Sequence, residues 1–275
     1  MTSSQPVRRF DWTNLGVRAA SAVVLIPAAV AAVYFGGWVL LLLAAVSVAL
    51  LALEWGGMSA PGAPIRVAAA VTAAILVALF SAYYGHYRTA WVLAGLGAIV
   101  AAIVGRSVSE HPADTAYGVI YIAPAAISLF WVRAMPHGIS WTIMLFAVTW
   151  AADIFAFAVG NALKGPKLWP RFSPNKTWSG FFGGLVGAMI TAMLVSRFTD
   201  AKLTFFWAAM VGLAGGLATM AGDLWESMLK RRFGVKDSGD LIPGHGGLLD
   251  RVDGLMFAIV VVAIARLLAL RGLIH

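Results

Sequence analysis

The chain has no cysteine, which excludes disulfides, thiolate metal sites and a cysteine nucleophile. It is almost as short of charge. Asp, Glu, Lys and Arg together make up 12% of its 275 residues, where a soluble domain carries about a quarter. Apolar residues account for 61% and the mean hydropathy is +0.85. These values exclude an ordinary water-soluble domain and place the chain among all-α, polytopic integral membrane proteins. The net charge of +8 is what basic loops flanking membrane helices produce, and anionic lipid headgroups or phosphate ligands would favour the same residues, so nucleic acid is not an expected partner. No repeat, low-complexity tract or long linker interrupts the sequence. A basic stretch (Arg8, Arg9, Arg18) precedes the first apolar run. That run continues past the length of a signal-peptide core without a clear cleavage site, so it reads as a retained first helix.

Residues 19–53 carry no charge. As one helix, at ~1.5 Å per residue, they would far exceed a hydrocarbon core of about 30 Å. Gly36 and Gly37 lie in the middle, so the run reads as a tight hairpin of two helices, 17–35 and 38–56. Further apolar runs at 67–87, 89–105, 115–132, 134–152, 177–196, 203–222 and 254–270 bring the expectation to about nine spans. The last is interrupted by Arg266, expected to snorkel to an interface or to mark a shorter segment. With the N-terminus inside, 14 of the 20 Lys and Arg residues fall in inside loops, as the positive-inside bias requires. The expected organisation is a cytoplasmic arm, 1–14, followed by one membrane catalytic domain, 15–275. Its two charge-rich loops, 163–176 and 223–253, face the cytoplasm of a cell (inner) membrane.

The remaining charge is concentrated. Six of the 12 acidic residues lie in 223–253: Asp223, Glu226, Asp237, Asp240, Asp250 and Asp253. In the segment 221–232, Asp223, Glu226, Ser227, Lys230 and Arg231 share one helical face. That face is either an exposed chain of ion pairs or a set of oxygen ligands for a hard cation beside basic groups for phosphate. In 240–254, Gly244, Gly246 and Gly247 follow Pro243 in a compact turn that allows close approach to phosphate. Asp250 and Asp253 then open a helix, where carboxylates are favoured by the dipole and are equally able to hold a metal. His245 is either a hydrogen-bonding loop residue or part of the site.

The loop 163–179 has four basic residues, three prolines and no acid. It enters a helix through Ser173, Pro174, Asn175, Lys176 and Thr177. This is an ordinary basic loop with a proline-led helix start, or an anion site at a helix N-terminus. Asp153 is a carboxylate inside an apolar span, and a functional candidate for that reason. Glu54 has a milder claim, lying near enough to a span end to reach the interface.

The run from Ser227 through Lys230, Arg231, Lys236, Asp237, Gly239, Ile242, Pro243, His245, Gly246, Gly247, Leu248, Asp250 and Arg251 to Asp253 resembles the signature of the phosphatidate cytidylyltransferase family, with every position met. The segment SPNKTW at 173–178 is similar to the family's second motif, and Asp153 falls where the family has an intramembrane acid. The resemblance covers about 150–255, the expected catalytic half. One departure is visible: Ser179 stands where the family often has an acid.

The resemblance implies transfer of CMP from CTP to phosphatidic acid, giving CDP-diacylglycerol and pyrophosphate. It implies a Mg2+ ion on Asp223 and Asp250 with Asp253 close by, and K+ as a second cation. Lys230, Arg231, Lys236, Asp237, His245 and Arg251 are the expected catalytic residues. Ser173, Asn175, Lys176, Thr177, Ser227, Gly246 and Gly247 are the expected substrate-binding residues. A homodimer is a further expectation. The chemistry needs no protein nucleophile, because the attacking oxygen belongs to the substrate and charge neutralisation carries most of phosphoryl-type transfer. Three rivals remain at this stage. One is a CTP-dependent enzyme acting on another membrane lipid. Another is a secondary transporter with an ion site at Asp153 and Glu54, which the cytoplasmic clustering of the polar residues disfavours. The last, a CDP-alcohol phosphotransferase, lacks its characteristic aspartate spacing here.

Overall fold

A computed structural model describes residues 27–107, 111–239, 241 and 246–275. Among the described residues, eight helices are long and apolar enough to cross a membrane. They are α1 (Gly37–Ser59), α2 (Pro64–Tyr83), α3 (Tyr87–Gly105), α4 (Pro112–Ala134), α5 (Gly138–Leu163), α6 (Trp178–Phe198), α7 (Phe205–Arg232) and α8 (Leu249–Leu270). A further helical segment at 27–35 precedes α1. The long uncharged run therefore breaks where expected, at Gly36 and Gly37, both with positive φ. The arm at 1–14, most of the first span, and the turn containing Asp240, Pro243, Gly244 and His245 lie outside the described residues.

Within the described residues the expected spans are found. α5 runs on beyond its expected end, through Asp153 to Leu163, while α7 continues to Arg232 and α8 begins at Leu249, as the helical face in 221–232 and the carboxylates opening the last helix led one to expect. In each case the helix carries polar residues that an apolar window cuts off. The loop 163–179, expected to be irregular, holds a small antiparallel hairpin. Strand β1 (Lys167–Trp169) pairs with β2 (Ser173–Thr177), with Lys167 opposite Thr177 and Trp169 opposite Ser173. Pro174 is tolerated because a two-stranded ribbon has only edges.

Two packed groups make up the molecule. Trp55, Val67, Val71, Ile75, Leu79, Ile122 and Ile127 centre the first, built from α1–α4. Trp141, Met144, Leu145, Val148, Val211, Ile259 and Val262 centre the second, built from α5–α8. α8 joins them by packing on both α7 and α4. Outward faces are apolar as well, with Val92, Ile99, Ile154, Phe157 and Phe182 exposed, as a lipid-facing surface demands. Between α5 and α6 the contact is made by small residues: Gly180, Gly183, Gly184 and Gly187 lie against Ala152, Phe155, Ala156 and Val159. Close backbone approach of this kind drives helix association where lipid removes the hydrophobic incentive.

Side-chain pairs separate the two ends of the bundle. At one end, Asp114 at the start of α4 meets Arg232 at the end of α7 at 2.6 Å, and Lys176 meets Asp223. At the other, Arg133 donates to the carbonyls of Val33 and Tyr34, and Trp141 Nε1 donates to the Ala201 carbonyl. Arg266 belongs to this second end. It neither snorkels outward nor shortens the helix. It is buried, 4% exposed, with its guanidinium 5.2 Å from the centre of the Trp141 ring and donating to the Pro136 carbonyl at 2.5 Å. Burial is tolerated because a carbonyl and an aromatic face replace water around the cation.

Candidate active site

The charge-rich segments converge at the first end of the bundle on a cavity of about 550 Å³. Each wall has a different origin. α5 supplies Asp153, Ala156, Phe157, Gly160 and Asn161. The hairpin supplies Leu168, Asn175, Lys176 and Thr177. α7 supplies Met220, Asp223, Leu224, Glu226 and Lys230, and the first turn of α8 supplies Asp250, Arg251 and Asp253. Gly180 and Phe181 of α6 complete the lining. Helical spacing puts Asp223, Glu226 and Lys230 on one face of α7. That face meets α8 closely because neither Gly222 nor Gly254 has a side chain: a Cβ on Gly222 would lie 3.0 Å from the Gly254 Cα.

Lys230 is the hub. Its Nζ lies 2.7 Å from Glu226 Oε2 and 2.6 Å from Asp250 Oδ1. The ammonium is thus held between carboxylates of two helices. Asp250 is itself shared. Its second oxygen accepts from the Ser238 N–H at 3.2 Å, the Ser238 hydroxyl at 3.0 Å and the Gly247 N–H at 3.2 Å. Lys176 pairs with Asp223 across the cavity. Asp253 Oδ1 accepts from the Gly254 N–H at 2.7 Å. Thr177 caps α6, its hydroxyl accepting from the Gly180 N–H at 3.2 Å. Ser179, the departure from the family pattern, donates to the Lys164 carbonyl and lies 3.1 Å from the Thr177 hydroxyl. It ties the helix start to the end of α5.

Of the residues singled out by sequence, the structure brings Asp153, Asn175, Lys176, Thr177, Asp223, Lys230, Asp250, Arg251 and Asp253 into one cavity. Ser173, Ser227, Arg231, Lys236, Asp237, Gly246 and Gly247 are not among its lining. Arg231 is exposed and donates to the Val235 carbonyl, Lys236 and Asp237 are exposed, and Gly247 is buried. His245 lies outside the described residues. Sequence reasoning left Glu226 out of the site, though its helical face pointed to it. It is 1% exposed, lines the cavity, and its Oε1 has no hydrogen-bond partner. The two acids that a transport site would pair do not share a cavity. Asp153 lines this one, and Glu54 is buried outside it against the start of α8.

Five carboxylates face three cations across this cavity, a formal excess of two negative charges. A polyphosphate would be repelled unless cations accompanied it. Among the described residues no group of three acids or histidines is assembled to hold an ion by itself. Magnesium does not need one, since it commonly takes one or two carboxylates and completes its shell with water and substrate phosphates. An all-oxygen donor set, a negative excess and the unpartnered Glu226 Oε1 fit a hard cation that arrives with its nucleotide.

Comparison with known proteins agrees with this geometry. A model of the cytidylyltransferase family matches residues 16–269. A phosphatidate cytidylyltransferase of Brucella abortus is 48% identical over 144 residues, covering 52% of this chain and 53% of the relative. One of Staphylococcus epidermidis is 35% identical over 147 residues, covering 53% and 56%. The aligned region thus spans about half the length of these curated relatives. The family match, in contrast, takes in the whole cavity and all but the last residue of the described helices, and the chain belongs to the cytidylyltransferase family.

Proposed function

We propose that this protein transfers CMP from CTP to the phosphate of phosphatidic acid, forming CDP-diacylglycerol and pyrophosphate. The observation that carries this reading is the mixed lining of the cavity. Asp, Glu, Lys and Arg side chains line it together with Ala156, Phe157, Leu168, Phe181 and Met220, and Phe157 is also 74% exposed on the outer surface. Such a site suits a reaction between a polyphosphate from water and a phosphate tethered to acyl chains. The relatives' name, phosphatidate cytidylyltransferase, points to the same pair of substrates.

In this reading an oxygen of the lipid phosphate attacks the α-phosphorus of CTP. The bond from that phosphorus to the α–β bridging oxygen breaks, and pyrophosphate leaves with the electron pair. Lys176, Lys230 and Arg251 neutralise the triphosphate and the lipid phosphate. Asn175 and Thr177 orient a phosphate at the start of α6. Ser173, Ser227, Arg231, Lys236, Asp237, Gly246 and Gly247 serve the approach of the nucleotide from outside the cavity, and His245 takes part in the reaction. Asp223 and Asp250 would hold Mg2+, with Asp253 and Glu226 as further oxygen donors, and K+ would be a second cation. When bound, these ions supply charge compensation for the attacking and leaving oxygens. Substrate arrival shifts Lys176 from Asp223 to phosphate, freeing that carboxylate. The site faces the cytoplasm of the cell membrane, in line with the basic bias of the loops at this end. The reading also includes a homodimer, which light scattering of the solubilised protein checks.

Pyrophosphate release from CTP by the purified protein tests the reaction. Release that requires both phosphatidic acid and magnesium supports it. Release with a polyprenyl or ether-lipid phosphate but not with phosphatidic acid keeps the chemistry and changes the acceptor. Absence of release with every lipid phosphate overturns the reading.

A further inference from the structure

Glu54 lies in the half of the chain that carries no motif, yet it is held against the signature turn. It is 4% exposed. Its Oε1 accepts from the Leu248 N–H at 2.7 Å, and its Oε2 accepts from the Leu249 N–H at 2.7 Å and the Ser238 hydroxyl at 3.3 Å. Leu248 is the N-cap residue of α8, and its side chain has no acceptor. The first N–H groups of a helix have no partner inside it. At α8 a carboxylate 194 residues away, on α1, satisfies two of them.

Gly239 and Gly247 leave room for this carboxylate. A Cβ on Gly239 would lie 3.1 Å from the Glu54 Cγ, and one on Gly247 would lie 3.0 Å from both Glu54 oxygens. Ser238 links the buried acid to the cavity, because its hydroxyl also lies 3.0 Å from Asp250 Oδ2. Glu54 itself is not part of the cavity lining. Its contacts end on the residues that set the position of Asp250, Arg251 and Asp253.

We propose that Glu54 is a positioning residue: through Leu248, Leu249 and Ser238 it fixes the start of α8, and with it the direction in which Asp250, Arg251 and Asp253 enter the cavity. This rests on the cytidylyl-transfer reading for its catalytic consequence, though not for the clamp itself. The motif-free half of the molecule thereby takes part in the site through one buried side chain. Glutamine in its place keeps the shape but offers one acceptor oxygen and turns an amide N–H toward a backbone donor.

The test compares the unmodified protein with Glu54→Gln and Asp114→Asn in nanodiscs. Asp114→Asn removes a buried carboxylate that holds Arg232 at the same end of the bundle, outside the cavity. Amide hydrogen exchange reads the clamp without any substrate. Loss of a charged acceptor speeds exchange at Leu248 and Leu249 by about tenfold in Glu54→Gln, and Asp114→Asn leaves those amides protected. Misplacement of the site by about an ångström then lowers kcat by about 10²-fold, with the KM for lipid unchanged and turnover of Asp114→Asn unaffected. Unchanged exchange in Glu54→Gln overturns the clamp. Faster exchange with full kcat per folded molecule overturns the positioning role, as does an equal kcat loss in Asp114→Asn. If the unmodified protein transfers no CMP, the reaction assignment fails by itself, and the exchange comparison still decides whether Glu54 holds the turn.

Discussion

Lys230 ties together the two helices that build the cavity: its ammonium lies 2.6 Å from Asp250 on α8 and 2.7 Å from Glu226 one turn earlier on its own helix. The side chains of all three are at most 15% exposed. A cation so placed has two consequences, one for stability and one for chemistry. Lys230→Ala leaves two buried carboxylates facing each other, which costs about 3–5 kcal/mol when a buried pair is broken. Thermal unfolding of the solubilised variant should show that loss together with loss of turnover. A variant as stable as the unmodified protein would mean that the Lys230 contacts contribute nothing net.

Asp223 and Asp250 should separate under the same change. Asp223 has one cation partner, Lys176, whereas Asp250 accepts from Lys230, Ser238 and Gly247. Asp223→Asn is expected to lose turnover and keep its unfolding temperature. Asp250→Asn is expected to lose turnover and also about 1–3 kcal/mol of stability, because buried donors are left without their acceptor. Parallel activity and unfolding measurements check this. Equal stability of the two variants would contradict the organising role given to Asp250.

Lys176 approaches from the hairpin and is the cation best placed to exchange partners. Lys176→Ala should raise the KM for CTP by about tenfold or more, the effect of one charge-assisted phosphate contact, with a smaller effect on the KM for lipid. Steady-state kinetics with each substrate varied in turn would show it. A change confined to lipid would move Lys176 to the other phosphate.

The α7–α8 crossing depends on Gly222. Gly222→Ala places a methyl against the Asp253 backbone and 3.0 Å from the Gly254 Cα. Overpacking of this kind costs about 1–3 kcal/mol, and here it also displaces two of the acids lining the cavity. Reduced turnover with retained binding to the membrane is the expected result.

Arg266, at the far end, provides the converse case. Arg266→Met removes the bond to Pro136 and the contact with Trp141. It should lower stability by about 1.5–3 kcal/mol, the net contribution of a hydrogen bond from a charged group, and leave the activity of the folded protein unchanged. Loss of specific activity would mean that the two ends of the bundle communicate.

Much of this arrangement was legible in the chain because local patterns carried it. Apolar runs located the membrane helices, the Gly36–Gly37 pair located the first break, and the polar islands at 173–177 and 223–253 pointed to one end of the bundle. What escaped notice depends on partners distant in sequence. Glu54 reads as a carboxylate near a helix end, and only the fold sets it against Leu248 and Leu249. Glu226 reads either as one step in a ladder of exposed ion pairs or as a cation ligand, and only the packing of α8 buries it and turns it into the cavity. Arg266 reads as a snorkelling cation until Trp141 and Pro136 close around it. The hairpin at 167–177 went unseen because the three prolines and four basic residues of 163–179 describe a loop, and a two-stranded ribbon needs no strand-like composition.

The most direct test of the central claim follows the label. CTP carrying radioactive phosphorus at the α position, or at the γ position, is incubated with the purified protein, phosphatidic acid and magnesium, and the lipid is extracted. CMP transfer predicts radioactivity in the lipid from the α-labelled nucleotide and none from the γ-labelled one. Label in the lipid from the γ position would make this a lipid kinase, and label from neither would remove nucleotidyl transfer to lipid from the account.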